Sequence, residues 1–207
     1  HATGKMEWAP PVDLPSEEEA AKYPMCVLFL DEMNSAAPSI QAAAFQLCLD
    51  RKIGTYTLPK NVMVIAAGNR DSDRGVTFRI PKPLANRFVH MEMRVDFDSW
   101  NEWAIEDGQH ADVVGFLNYS KSSLHDFDPK SPELAFATPR TWEFVGDLLN
   151  DNPPDDIAMD IISGTVGEGL ALKFMAHRKV ASKLPKAIDV LTGKVTKLDV
   201  KDISAQY

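Results

Sequence analysis

The chain has 207 residues, 44% of them hydrophobic and 25% charged, a composition that suits a folded globular protein and excludes wholesale disorder. Twenty-two basic against thirty acidic side chains leave a net charge of −8, which gives a general phosphate-backbone binder no electrostatic support. The longest apolar runs, 25–30 and 62–67, are far shorter than the roughly 20 residues of a membrane-spanning helix, and no charged-then-apolar leader opens the chain, so a cytoplasmic location is expected.

Residues 1–24, rich in Pro and Glu without a sustained period, read as a connector with at most one short turn. From residue 25 the run Met-Cys-Val-Leu-Phe-Leu ends in Asp31 and Glu32, the pattern of a strand buried on both faces with carboxylates at its C-terminal end. Ser35 and Pro38 open a helical pattern up to Asp50, with Ile40, Ala44 and Leu47, beside Phe45 and Cys48, on the inward face. Residues 51–59, which contain Gly54, predict a turn or small hairpin. Residues 62–67 predict a second buried strand running into Gly68, Asn69 and Arg70. A polar loop over 71–82 leads to a short helical turn at 83–88 and a third strand candidate at 89–95. Cys26 and Cys48 lie in apolar contexts and are expected as buried, inert thiols.

Beyond Asp96 the apolar segments become longer and helically spaced, separated by Pro, Gly and Asp, which marks a domain boundary near residue 96. Helices are expected at about 98–107, 111–120, 139–150, 155–177 with a break at 164–169, and 185–191, followed by a polar tail at 192–207. Trp100, Trp103, Phe116 and Phe144 are expected in the core of this helical half. The expected fold is therefore α/β: a partial core with parallel strands at 25–95, then a helical domain at 96–191.

Two neighbouring parallel strands that both end in polar residues open a crevice at the carboxyl edge, where open α/β folds bind ligands. An apolar strand running into Asp-Glu suits phosphoryl transfer, in which the Asp holds Mg²⁺ through its water and the second carboxylate polarises the attacking water. Asp31 and Glu32 are of those types. Taken alone, they read equally as acids capping the next helix, and Asn69 as a turn former. His1, His90, His110, His125 and His177 show no ligand spacing, which leaves a metal-dependent hydrolase with little support.

Four strings sharpen the choice: Leu-Phe-Leu-Asp-Glu-Met-Asn at 28–34, Ile-Ala-Ala-Gly-Asn-Arg at 65–70, Leu-Ala-Asn-Arg-Phe at 84–88 and Ala-Thr-Pro-Arg at 137–140. In order, they resemble the Walker B, sensor 1, arginine-finger and sensor 2 motifs of AAA+ ATPases. Asn-Ser-Ala-Ala-Pro at 34–38 and the Pro-Arg pair are similar to the MoxR branch, and the resemblance covers about residues 25–178. It implies a partial AAA+ core with a helical lid, ATP and Mg²⁺ as cofactors, and a set of roles. Asp31 holds Mg²⁺ and the nucleotide, Glu32 is the catalytic base, and Asn69 orients the water beside the terminal phosphate. Arg87 acts in trans as the finger, with Arg74 and Arg79 as rivals, and Arg140 meets phosphate from a helix N-terminus opened by Pro139.

A finger in trans implies a self-associated ring, expected as a hexamer, and MoxR relatives suggest a von Willebrand factor A-domain partner. The sequence contains no Gly-x-x-x-x-Gly-Lys-Ser/Thr loop, and Thr3-Gly4-Lys5-Met6 lacks the hydroxyl that ligates Mg²⁺. The chain is accordingly expected to be a fragment that binds ATP weakly, taken from an enzyme that remodels a partner protein. The alternative is a non-catalytic interaction module: the missing loop speaks for it, and the joint presence of Asp31, Glu32, Asn69, Arg87 and Arg140 against it.

Overall fold

The computed structural model describes residues 13–70, 78, 80–183 and 192–194. The fold is mixed α/β, and the chain divides into two compact units, His1–Glu92 and Met93–Tyr207.

The first unit is built on two parallel strands, β1 (Cys26–Leu30) and β4 (Val62–Ala66), in register from Cys26 opposite Val62 to Leu30 opposite Ala66. A parallel pair needs a long crossover. Helix α2 (Pro38–Asp50) supplies it, with the antiparallel hairpin of β2 (Lys52–Ile53) and β3 (Tyr56–Thr57). Proline at the first turn of α2 needs no amide partner, and the helix ends on Arg51 in the left-handed region. From there the Arg51 guanidinium donates to the carbonyls of Pro59 (2.6 Å) and Val62 (2.8 Å), latching the hairpin to the start of β4. A one-turn helix, α1 (Glu17–Ala20), is started by the reciprocal Ser16–Glu19 capping box. It delivers Ala20 into a small core with Leu47, Leu58 and Val62, while Asn61 Nδ2 donates to the carbonyls of Ala20 and Tyr23.

Several expectations fail in this unit, each for a physical reason. Among the described residues, one face of the β1–β4 pair is covered and the other is not. Cys26, Leu28 and Val64 pack toward the core with Val62, whereas the alternate residues Val27 and Phe29 remain 51% and 56% exposed and Met63 and Ile65 nearly as much. Helix α2, the hairpin and α1 pack against a single side, so the second apolar face is left open among the described residues. Ile40 is exposed and Gln41 is buried in its stead, because Gln41 Nε2 donates to the Ala36 carbonyl (2.9 Å) and reaches that of Asn34 (3.5 Å). Residues 89–95 form no strand. Their alternation is present, yet Val89, Met91 and Met93 are at least 85% exposed, and among the described residues the β1–β4 sheet takes no third member. The short helical turn does form, as α3 (Lys82–Ala85), and buries Leu84. Cys26 and Cys48 are free thiols, half-buried rather than buried, and burial pushes the Cys48 thiol up.

The second unit is helical: α4 (Phe97–Asp107), α5 (Ala111–Tyr119), a 3₁₀ turn (Lys121–Leu124), α6 (Pro139–Asn150), α7 (Asp155–Val166) and α8 (Glu168–Ala181). Local signals set the ends. Asp96 caps α4 by accepting from the Ser99 amide, and Gly108, at φ 78°, closes it. The long pattern at 155–177 is cut at Gly167, whose φ of 91° suits glycine and no other residue. The core gathers Phe116, Trp142 and Phe174, with ring centroids 5.4 to 5.7 Å apart, and Trp142 Nε1 donates to the Ser123 carbonyl at 2.8 Å. Trp100 joins this core, but Trp103 and Phe144 are substantially exposed, against expectation. Helix α6 buries Trp142, Val145, Gly146 and Leu149, a stripe that leaves Phe144 outside. On α4 the stripe is Trp100 and Ala104, and Trp103 flanks it. The helix expected at 185–191 lies outside the described residues, as do 195–207. Among the described residues no helix is long and apolar enough to cross a membrane.

Candidate functional site

The carboxyl ends of β1 and β4 lie side by side, and the ladder carries one residue too many on the β1 side. The Ala67 amide donates to the Leu30 carbonyl (2.9 Å), and the Ala67 carbonyl accepts from the Met33 amide (2.9 Å). In a regular parallel ladder those two bonds would embrace one residue. Here they embrace Asp31 and Glu32, which makes a bulge, a device that re-aims side chains. Glu32 takes the left-handed conformation at φ 49°, and its carbonyl accepts from the Ser35 amide (2.8 Å) to close the turn. Asp31 Oδ1 accepts from the Glu32 amide at 2.9 Å, and both carboxylates stand in solvent.

The next residue but one explains how the bulge is held. Asn34 is 5% exposed, and its carboxamide forms a reciprocal pair with the backbone of Asn69. Nδ2 donates to the Asn69 carbonyl at 2.6 Å, and Oδ1 accepts from the Asn69 amide at 3.0 Å. The side chain thus supplies a further rung beyond the point where the strands themselves stop pairing. Gly68 makes room for it: a Cβ there would overlap the Asn34 amide, with Cγ only 2.8 Å away. The Asn34 carbonyl in turn accepts from the Phe78 amide at 2.6 Å. Sequence reasoning gave Asn34 no role, because a buried asparagine is recognised only when the residue it faces, 35 positions away, is known.

Asp31, Glu32 and Asn69 are therefore brought to one end of the β1–β4 pair, and the Asn69 side chain is exposed there. Arg87 follows α3 and is exposed, with Nη1 folded back onto the Pro83 carbonyl of its own helix (3.0 Å). Arg74 and Arg79 lie outside the described residues. A shallow cleft of about 240 Å³ runs along the strand tips from Met33, Asn34, Gly68 and Asn69 to Phe88 and His90, and neither acid lines it. His90 Nε2 sits 2.7 Å from the Ala85 carbonyl, and Arg70 pairs with Glu92 at 3.1 Å.

In the second unit Arg140 is the second residue of α6, after Pro139, and is exposed. Thr138 caps that helix by accepting from the Thr141 amide (3.1 Å), and Thr141 Oγ1 accepts from the Thr138 amide (2.7 Å).

No group of three or more His, Cys, Asp or Glu side chains converges among the described residues. Mg²⁺, however, keeps several waters and takes only one or two carboxylates beside phosphate oxygens. An exposed Asp31, oriented through one oxygen by the Glu32 amide, fits that sparse coordination. No family model, curated protein or solved structure matches the chain.

Proposed function

We propose that this chain is the hydrolysis-bearing portion of a MoxR-like AAA+ ATPase, in which ATP turnover drives the remodelling or activation of a partner protein. The observation that carries the reading is the pairing of two parallel strand ends, one bulged at Asp31 and Glu32, the other bearing Asn69, with the Asn34 carboxamide bonded across them. In this reading Glu32 polarises the attacking water, Asn69 orients it, and Asp31 carries the metal's water shell. Mg²⁺, when bound, neutralises charge on the β- and γ-phosphate oxygens. Arg87 reaches the site of a neighbouring subunit, where such a finger raises turnover by about 10³ to 10⁵, and Arg140 meets phosphate from the start of α6. The Gly-x-x-x-x-Gly-Lys-Ser/Thr loop that grips the phosphates in such enzymes is not among these 207 residues. The assembly is a cytoplasmic ring, a hexamer, with a von Willebrand factor A-domain protein as its partner.

The test is Glu32→Gln in the protein that joins this chain to a phosphate loop. Mg-ATP affinity is expected to stay within about twofold while kcat falls on the order of 10² or more. Turnover at the wild-type rate would remove Glu32 from the role of base. A second reading, a non-catalytic AAA+-derived interaction module, is favoured by two observations: the absence of a phosphate-loop sequence from the chain and the open apolar face of Val27, Phe29, Met63 and Ile65. ATP hydrolysis by the phosphate-loop-bearing protein excludes it.

A further inference from the structure

We propose that Asn34 is a positioning residue for hydrolysis: it sets the distance and orientation between the acidic bulge and Asn69, and acts on turnover rather than on nucleotide binding. The inference rests on the ATPase reading above.

The argument begins with the bulge. Past the extra residue at Asp31 and Glu32 the main-chain ladder reaches Met33 and Ala67 and stops there, and the Asn69 amide and carbonyl bond to the Asn34 side chain instead. A carboxamide is the side chain that replaces a lost rung, since it offers one donor and one acceptor in the geometry of a peptide group. Asp lacks the donor, Gln is a methylene too long, and aliphatic residues have neither. Burial raises the stakes, because each of these bonds, once broken, leaves a polar group away from water. Gly68 leaves open the space that the amide occupies. Since the Asn34 carbonyl also accepts from the Phe78 amide, three chain segments meet on this single residue.

Between Glu32 and Asn34 lies only Met33, whose amide is bonded to Ala67. Clamping Asn34 onto Asn69 therefore limits the freedom of Glu32 relative to the Asn69 side chain, the two groups assigned to one water. A displacement on the order of 1 Å in such a pair costs about a hundredfold in rate, whereas the phosphate grip that governs binding uses other groups.

Two variants and two measurements test this. Asn34→Ala removes the clasp, and Gly68→Ala evicts the Asn34 amide without altering it. In the 207-residue chain, amide hydrogen exchange at Asn69 is expected to quicken about tenfold or more in both variants, while the Cys26 amide, bonded to the Asn61 carbonyl at the far end of the pair, keeps its wild-type rate. In the protein that includes a phosphate loop, kcat is expected to fall on the order of ten- to a hundredfold with KM for Mg-ATP unchanged. Unaltered Asn69 exchange, a parallel rise at Cys26, or an unchanged kcat each overturns the proposal. A rise in KM with kcat retained overturns it too. Failure of the wild-type protein to hydrolyse ATP defeats the ATPase reading, and the proposal with it. Wild-type turnover that Asn34→Ala leaves intact defeats the proposal alone.

Discussion

Glu32 holds a backbone conformation that L-residues adopt at a cost of about 1–2 kcal/mol, and it does so on the side chain assigned to the attacking water. Nothing in its own chemistry favours that φ: unlike Asn or Asp, a glutamate does not bond locally to compensate. The conformation is instead imposed by Met33 and Ser35, whose amides bond to Ala67 and to Glu32 itself. Glu32→Gly should relieve the strain while giving back about 0.5–1 kcal/mol through the greater freedom of the unfolded glycine. The net effect expected is a first unit more stable by about 0.5–1 kcal/mol, read as slower exchange of the Cys26 and Ala67 amides, in a protein that has lost the proposed base. Faster exchange would show that the left-handed turn carries no strain. At this scale the sequence was informative about residue type and poor about geometry. The acids and Asn69 stand at strand ends, as their position after apolar runs predicts, but the bulge, the left-handed turn and the Asn34 clasp depend on register, which no local pattern encodes.

Helices were far more legible than strands, because a helix bonds within itself and announces its own ends. Asp96, Gly108, Pro139 and Gly167 each mark a boundary by local chemistry. Residues 89–95 have the strand period but form no strand, since a strand exists only with a neighbour. Which stripe of each helix turns inward was less visible: Trp142, read only as part of a helix, fills the centre that Phe144 was expected to share. The packing of α8 on α5 also creates a titratable contact. The His177 ring lies edge-on to Phe116 (5.6 Å) and stacks on Tyr119 (5.4 Å), and burial pulls its pKa below the ordinary value, with Asp112 opposing weakly. Asp112 itself is held by Arg178 Nε at 2.8 Å. The neutral ring is thus the form the fold favours. Above the unfolded value of about 6.5 the contact is at full strength. As pH falls through that value toward the lower folded one, the unfolded chain takes up a proton that the folded chain refuses, and stability declines. Thermal melts of the second unit should therefore lose midpoint as pH drops below about 6.5, and His177→Phe should remove that dependence. An identical slope in the variant would assign it to other groups.

For the molecule as a whole, the decisive contrast lies between two cores of unequal size. Among the described residues the first unit buries six apolar side chains, four of them, Ala20, Leu47, Leu58 and Val62, clustered beneath a sheet whose other face is open. The second has sixteen, including the fully enclosed Phe116, Trp142 and Phe174. Burial of apolar area is the main favourable term in folding, so the unit that carries the acidic bulge is held by far less of it. This asymmetry was not readable in composition, because both halves are rich in apolar residues. What differs is that 25–30 and 62–67 spend half of theirs on an exposed face. The consequence is a graded unfolding. In native-state hydrogen exchange with rising urea, the Cys26 and Ala67 amides of the first unit should join an unfolding isotherm at lower denaturant than the Val145 and Phe174 amides of α6 and α8. A single isotherm shared by all four amides would contradict it.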